Sequence, residues 1–223
     1  MIAVSTKVHS FGLRVLLLAW LTLYAPQLYA DDRSAKIAQE IDKLRFGGSK
    51  SRFAADKLGN IGAPAVPALI EALSSKESSF TREYAALALA KIGKDAEPAL
   101  PALAIALRDE YGGNISMNAS KAMAAIGKPA VPLLTEALAD KVYWVRWRAA
   151  WALVRIGPDS AAAVPALTKA LADKHKAVRQ LSAKALGRIG KAAATAKTGL
   201  TKALNDPEES VRKEAAKALT SIE

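Results

Sequence analysis

The sequence predicts an all-α fold, an α-solenoid of about six two-helix repeats. Three observations predict it. An Ile-Gly pair recurs at Ile61-Gly62, Ile92-Gly93, Ile126-Gly127, Ile156-Gly157 and Ile189-Gly190, and a further copy starts at Ile222. The steps between these isoleucines are 31, 34, 30, 33 and 33 residues, a period that marks stacked repeats. A proline then follows each of the first four glycines, at Pro67, Pro101, Pro132 and Pro165, so glycine-then-proline punctuation splits each repeat into two helices. Between these breaks the apolar spacing is helical, and no stretch alternates apolar and polar residues over a strand's length.

Residues 1–30 are of a different kind. Lys7, His9 and Arg14 precede an apolar run from Val15 to Tyr24; Pro26, Leu28-Tyr29-Ala30 and Asp31-Asp32 follow. A basic start, an apolar stretch and a small residue ahead of an acidic pair read as a secretory signal peptide cut after Ala30, although Leu28 departs from the usual small or β-branched residue. An uncleaved membrane anchor is the alternative. Only 16 uncharged residues follow Arg14, with a proline among them, against about 20 for a span. The chain thus divides into a signal segment, 1–30, and a repeat domain, 31–223, and is expected in the periplasm or outside the cell.

Within the domain, Ile37, Ile41 and Leu44 have helical spacing and Gly47-Gly48 ends the segment, so 34–45 is the first helix of an opening unit. Its second helix is 50–60. Later units open on AVPALIEAL (65–73), ALPALAIAL (99–107), AVPLLTEAL (130–138) and AVPALTKAL (163–171). Proline in the first turn costs no hydrogen bond, and its fixed φ suits a helix start. The glycine before it fits the left-handed position that ends the previous helix. The last such segment, AKTGLTKAL (196–204), departs: Thr198 replaces proline and Gly199 weakens the helix, as in a terminal, capping repeat.

The second helices share a thirteen-residue block, VRWRAAWALVRIG at 145–157, VRQLSAKALGRIG at 178–190 and VRKEAAKALTSIE at 211–223. Looser copies are KSRFAADKLGNIG (50–62), TREYAALALAKIG (81–93) and ISMNASKAMAAIG (115–127). Block positions 1, 5, 6, 9 and 12 are apolar or small almost throughout. At 145–157 they are Val145, Ala149, Ala150, Leu153 and Ile156, one stripe expected in the core.

The Val-Arg, Ala-Ala, Ala-Leu and Ile-Gly elements, recurring in register, resemble the HEAT repeat, in the short form seen in phycobilin lyases. The resemblance covers nearly all of 34–223. It implies that the Val-Arg helix lines the concave side of the stack. It also implies a structural ladder in which Arg82, Arg146, Arg179 and Arg212 pair with turn acids, with Asp109, Asp140, Asp173 and Asp206 as candidates. Ser51 and Ser116 interrupt it. HEAT arrays host many unrelated roles, so the resemblance fixes fold and not function.

The face opposite the core stripe is the binding surface to inspect. At 145–157 it carries Trp144, Trp147, Arg148, Trp151 and Arg155, with Tyr143 beside them. Three of the chain's four tryptophans sit here at i, i+3 and i+7. For all three to be buried, Val145, Ala149 and Leu153 would have to be exposed, which contradicts the repeat. The same stripe offers Tyr84, Leu87 and Lys91 in the second unit, and Met117, Asn118 and Lys121 in the third. It offers Gln180, Lys184 and Arg188 in the fifth, and Lys213 and Lys217 around Glu214 in the sixth.

The formal net charge is +11, and loss of Lys7 and Arg14 with the signal segment removes two cations and no acid. Such an excess attracts acidic partners. With no cysteine, disulfides and thiolate metal sites are excluded. Two histidines, His9 and His175, fall short of a zinc ligand set. No Ser-His-Asp or Cys-His constellation exists; Asp56, Glu83 and Glu214 lie on the stripe in different units. No cofactor, metal or catalytic residue is therefore expected. The leading reading is a monomeric secreted or periplasmic scaffold that holds an acidic or amphipathic protein segment. It would do so through Trp144, Trp147, Arg148, Trp151, Arg155, Lys121, Lys184, Arg188 and Lys217, which large amphipathic rings flanked by arginine suit. The alternative partner is an anionic envelope glycan or lipid headgroup; nucleic acid is disfavoured by secretion. A lyase-type enzyme ranks below both.

Overall fold

The computed structural model describes residues 32–109 and 113–223. The expected signal segment, 1–30, therefore lies outside the described residues. Twelve α-helices follow one another: α1 at 32–43, α2 Gly48–Ile61, α3 Val66–Leu73, α4 Ser79–Ile92, α5 Leu100–Ala106, α6 Gly113–Ile126, α7 Val131–Ala137, α8 Tyr143–Ile156, α9 Val164–Ala170, α10 Lys176–Ile189, α11 Lys197–Ala203 and α12 Glu209–Ile222. No strand occurs among the described residues. None of their helices is long and apolar enough to cross a membrane.

The six even-numbered helices are the thirteen-residue blocks, and each runs 14 residues. They pack side by side in sequence order as one continuous layer, and the odd-numbered helices from α3 to α11 form a second layer, each against the even helix that follows it. Alanine makes this close row possible. Ala54, Ala85, Ala119, Ala149 and Ala215 share block position 5, Ser182 holds it in the fifth unit, and all six are buried. The leucines of the ALxxAL segments plug the space between layers: Leu69, Leu103, Leu134, Leu167 and Leu200 are fully buried. The expected core stripe holds at Val145, Ala149, Ala150 and Leu153, whereas Ile156 is only half-buried, like Ile61 and Ile92.

The odd helices are shorter than the sequence segments suggested, because a 3-10 turn precedes each: Ala63–Ala65, Gly93–Ala99, Lys128–Ala130, Gly157–Ala163 and Gly190–Ala196. The last of these holds no proline and still forms. The stack, rather than proline, therefore imposes the turn. Gly199 does not interrupt α11. A Cβ there would meet Thr168 and Leu171 at 3.1 Å, so its missing side chain makes room against α9.

The ladder forms. Arg82 Nε donates to Asp109 at 2.9 Å, Arg146 to both oxygens of Asp173 at 2.6 and 2.9 Å, and Arg179 to both of Asp206 at 2.7 and 2.9 Å. Each pair joins one even helix to the turn that opens the next. Where Ser116 breaks the series, Arg108 in the preceding turn supplies the cation, its Nε 2.9 Å from Asp140. Ser51, the other gap, donates to the Lys43 and Leu44 carbonyls. Arg212 straps its own preceding turn through the carbonyls of Asp206 and Pro207.

Candidate interaction surface

The outer face of the even-helix row carries the residues singled out from the sequence, and packing sorts them into groups. Lys121, Trp151 and Arg155 line one depression of about 450 Å³, together with Leu87, Lys91 and Asp56. Its residues come from α2, α4, α6 and α8, so four successive helices contribute to one hollow. Ala90, Ala124 and Ala125 complete its lining. Their small side chains are what makes it a hollow. Trp151 packs its inner edge on the core while remaining half exposed, and the Arg155 guanidinium lies 5.1 Å from its ring centroid. Lys91 pairs with Asp56 at 3.1 Å, and Lys121 makes only a long contact with Asn118 at 3.4 Å.

Lys184, Arg188 and Lys217 meet in a second, smaller hollow of about 250 Å³ between α10 and α12, floored by Gly187 and Ala218. Lys217 pairs with Glu214 at 3.3 Å. Lys184 and Arg188 have no ion pair among the described residues. Both hollows are cationic, and the first is also aromatic.

At the start of α8, Trp144 is 38% exposed and Tyr143 48%. Their rings meet edge to face at 5.7 Å, and Tyr143 stacks on His175 at 4.3 Å. His175, one of two histidines too few for a zinc ligand set, thus joins an aromatic cluster one repeat on. Trp147 is half-buried. All three stripe tryptophans are at least partly accessible.

Arg148 corrects the expectation. Helical spacing puts it on the outer stripe, but it is 8% exposed. Its side chain turns back to α6, where Nη2 donates to the Gly113 carbonyl at 2.8 Å, and its guanidinium sits 5.3 Å from the Trp147 ring centroid. Asn118 is buried too, bonding the Glu83 carbonyl at 3.2 Å. Both occupy block position 4, as does Tyr84, whose hydroxyl donates to the Gly48 carbonyl. That position faces the preceding even helix, a contact that a helical wheel of one segment does not contain.

The stripe carboxylates are engaged as well: Asp56 by Lys91, Glu83 by Asn114 at 3.1 Å and Glu214 by Lys217. No group of three or more histidine, cysteine or acidic residues suited to a metal occurs among the described residues.

A family model of HEAT repeats matches residues 49–117, 113–175 and 131–220. The chain belongs to the HEAT repeat family. The sequence resemblance in the blocks and the two-layer stack of helical pairs agree with that membership. Among curated proteins none matches the chain. Among solved structures, this HEAT array is similar to YibA of E. coli, with a TM-score of 0.58 and 24% identity over 82% of this chain and 69% of that one. It is also similar to a designed armadillo repeat protein in complex with a (KR)4 peptide, with a TM-score of 0.55 and 20% identity over 83% and 98% of the two chains. The CpcE–CpcF complex of phycocyanin lyase from Nostoc aligns at a TM-score of 0.48 and 18% identity over 83% and 98%. At these identities the likeness is one of fold.

Proposed function

We propose that this HEAT array is an interaction scaffold of the periplasm or cell exterior, one that holds an acidic or amphipathic protein segment along its even-helix face. The observation that carries the reading is the hollow in which Lys91, Lys121 and Arg155 surround Trp151. An exposed aromatic edge supplies apolar contact, and unpaired or weakly paired cations supply charge complementarity to carboxylates. The net charge, +11 for the full sequence and 11 − 2 = +9 once Lys7 and Arg14 leave with the signal segment, steers such a partner to the surface. The designed armadillo neighbour holds a basic peptide. A cationic hollow on a comparable stack suits a peptide of the opposite sign. Secretion rests on the 1–30 segment as read from the sequence.

Titration of a fluorescently labelled peptide rich in glutamate and leucine tests the reading. Wild-type protein should bind it, and the double variant Lys121→Glu/Arg155→Glu should bind at least about tenfold more weakly. Equal binding by both would remove the hollow as the site. An anionic glycan or lipid headgroup remains the second reading, supported by Lys184 and Arg188 standing without acidic partners among the described residues. Competition of the peptide by an anionic polysaccharide at equal charge concentration would favour it.

A further inference from the structure

We propose that Arg148 is a buried receptor for one carboxylate of the acidic segment, bound between α8 and the N-terminus of α6. The inference rests on the acidic-partner reading above and assigns it an anchor point. Arg148 is the fourth residue of its block, and at that position the stack needs only a link to the preceding helix. Tyr84 provides the link with a neutral hydroxyl and Asn118 with a neutral amide. Leu181, in the fifth unit, makes its contact by apolar packing. The other charge at this position, Glu214 in the sixth unit, is paired with Lys217, so nothing in the stack calls for an unpaired charge at 148.

A guanidinium is there nonetheless, and it is incompletely satisfied. Nη2 is used on the Gly113 carbonyl. Nε and Nη1 are buried and have no hydrogen-bond partner. Every ladder arginine that reaches the next unit finds an aspartate, but Arg148 pairs with no carboxylate among the described residues. Burying an unpaired cation with open donors lowers stability, and the burial pushes the Arg148 pKa below the ordinary arginine value. Its anchor, Gly113, is the first residue of the 14-residue helix α6. The guanidinium thus sits at the positive end of that helix, and an anion held there would be favoured by both. A carboxylate suits the site because charge-assisted bonds from a guanidinium to a carboxylate are short and directional. The half-exposed Trp147 ring stacks beside the guanidinium. A carboxylate bound at the open donors would lie close to the Trp147 ring, which gives the event an optical signature.

The test compares full-length wild type, Arg148→Met and Trp151→Ala by thermal unfolding without ligand and by tryptophan-monitored titration with a short glutamate homopeptide. A glutamine homopeptide serves as the neutral control. The expected result has three parts. Arg148→Met melts higher than wild type when no peptide is present. It binds the glutamate peptide about thirtyfold more weakly or worse. The wild-type emission change on binding is absent from it and absent with the glutamine peptide. If Arg148→Met melts lower and binds as wild type does, the guanidinium is a structural strap and the proposal is overturned. If Trp151→Ala weakens binding while Arg148→Met does not, the hollow reading stands and only the anchor is lost. If wild type binds no glutamate peptide, both readings fall.

Discussion

Asp173 and Asp206 each do two things. Each accepts both arms of an arginine from the preceding unit, and each accepts a backbone N–H two residues on, from His175 or Glu208. For Asp206 the Arg179 bonds outweigh burial and hold the carboxyl below its ordinary pKa. For Asp173 burial pushes upward, and the bonds from Arg146 and the His175 N–H overcome it. A depressed folded-state pKa means that the unfolded chain binds protons first. The stabilisation is therefore complete above the ordinary aspartate pKa of about 3.9 and is lost as pH falls through the lower folded values. Urea midpoints should be nearly flat from about pH 7 to 5 and fall below about pH 4, with a shallower fall in Asp206→Asn. Asp206→Ala leaves Arg179 and the Glu208 N–H unpaired and should cost about 1–3 kcal/mol in urea unfolding at neutral pH. A loss near zero would show the ladder to be incidental. The Arg-to-Asp steps were legible in the sequence because the block and the turn recur together. The Arg108–Asp140 substitute was not, since Arg108 lies outside the block and reaches Asp140 only through the packing of two neighbouring turns.

The element boundaries depend on five glycines with φ between 69° and 87° and ψ between −130° and −144°. This is not the αL region expected from the sequence. It is the mirror image of extended backbone, which glycine alone adopts freely. Asparagine, which tolerates αL, gives no advantage there. At Gly157 a Cβ would meet nothing within 4 Å, so the cost of substitution is purely conformational. Gly157→Ala and Gly157→Asn should both destabilise by about 1–3 kcal/mol. A much milder asparagine variant in thermal melts would contradict the geometry. Gly187 has a different role. Its missing side chain lets α10 approach α12, with Ala218 Cα 3.0 Å from where a Cβ would sit. Gly187→Val should lower stability by about 1–3 kcal/mol, with the loss shared by the Lys184–Lys217 hollow that these helices enclose.

Across the molecule, each unit touches its neighbours and little else, so binding capacity is distributed along a row rather than concentrated in a pocket. The two cationic hollows lie on the same layer, with Tyr143, Trp144 and His175 at the α8 and α10 starts. Charge acting at range across that layer predicts a strong ionic-strength dependence. Affinity for the glutamate–leucine peptide should fall by about tenfold or more as salt rises from roughly 0.02 to 0.2 M. Salt-independent binding would assign the surface to apolar contact alone. The partly open tryptophan faces make a second prediction. Acrylamide should quench most of the emission of a protein comprising residues 31–223, and a blue-shifted, protected spectrum would return the rings to the core.

The repeat count, the helix breaks, the buried alanines and leucines and most ladder partners were determined by the sequence. Each depends on local spacing that recurs in register, and recurrence exposes it. Tertiary structure alone decided which of the outward residues share a hollow, and it turned Arg148 inward against Gly113. Helical periodicity fixes a side chain's direction about its own axis. What that direction meets depends on the neighbouring helix, whose side chains differ from unit to unit.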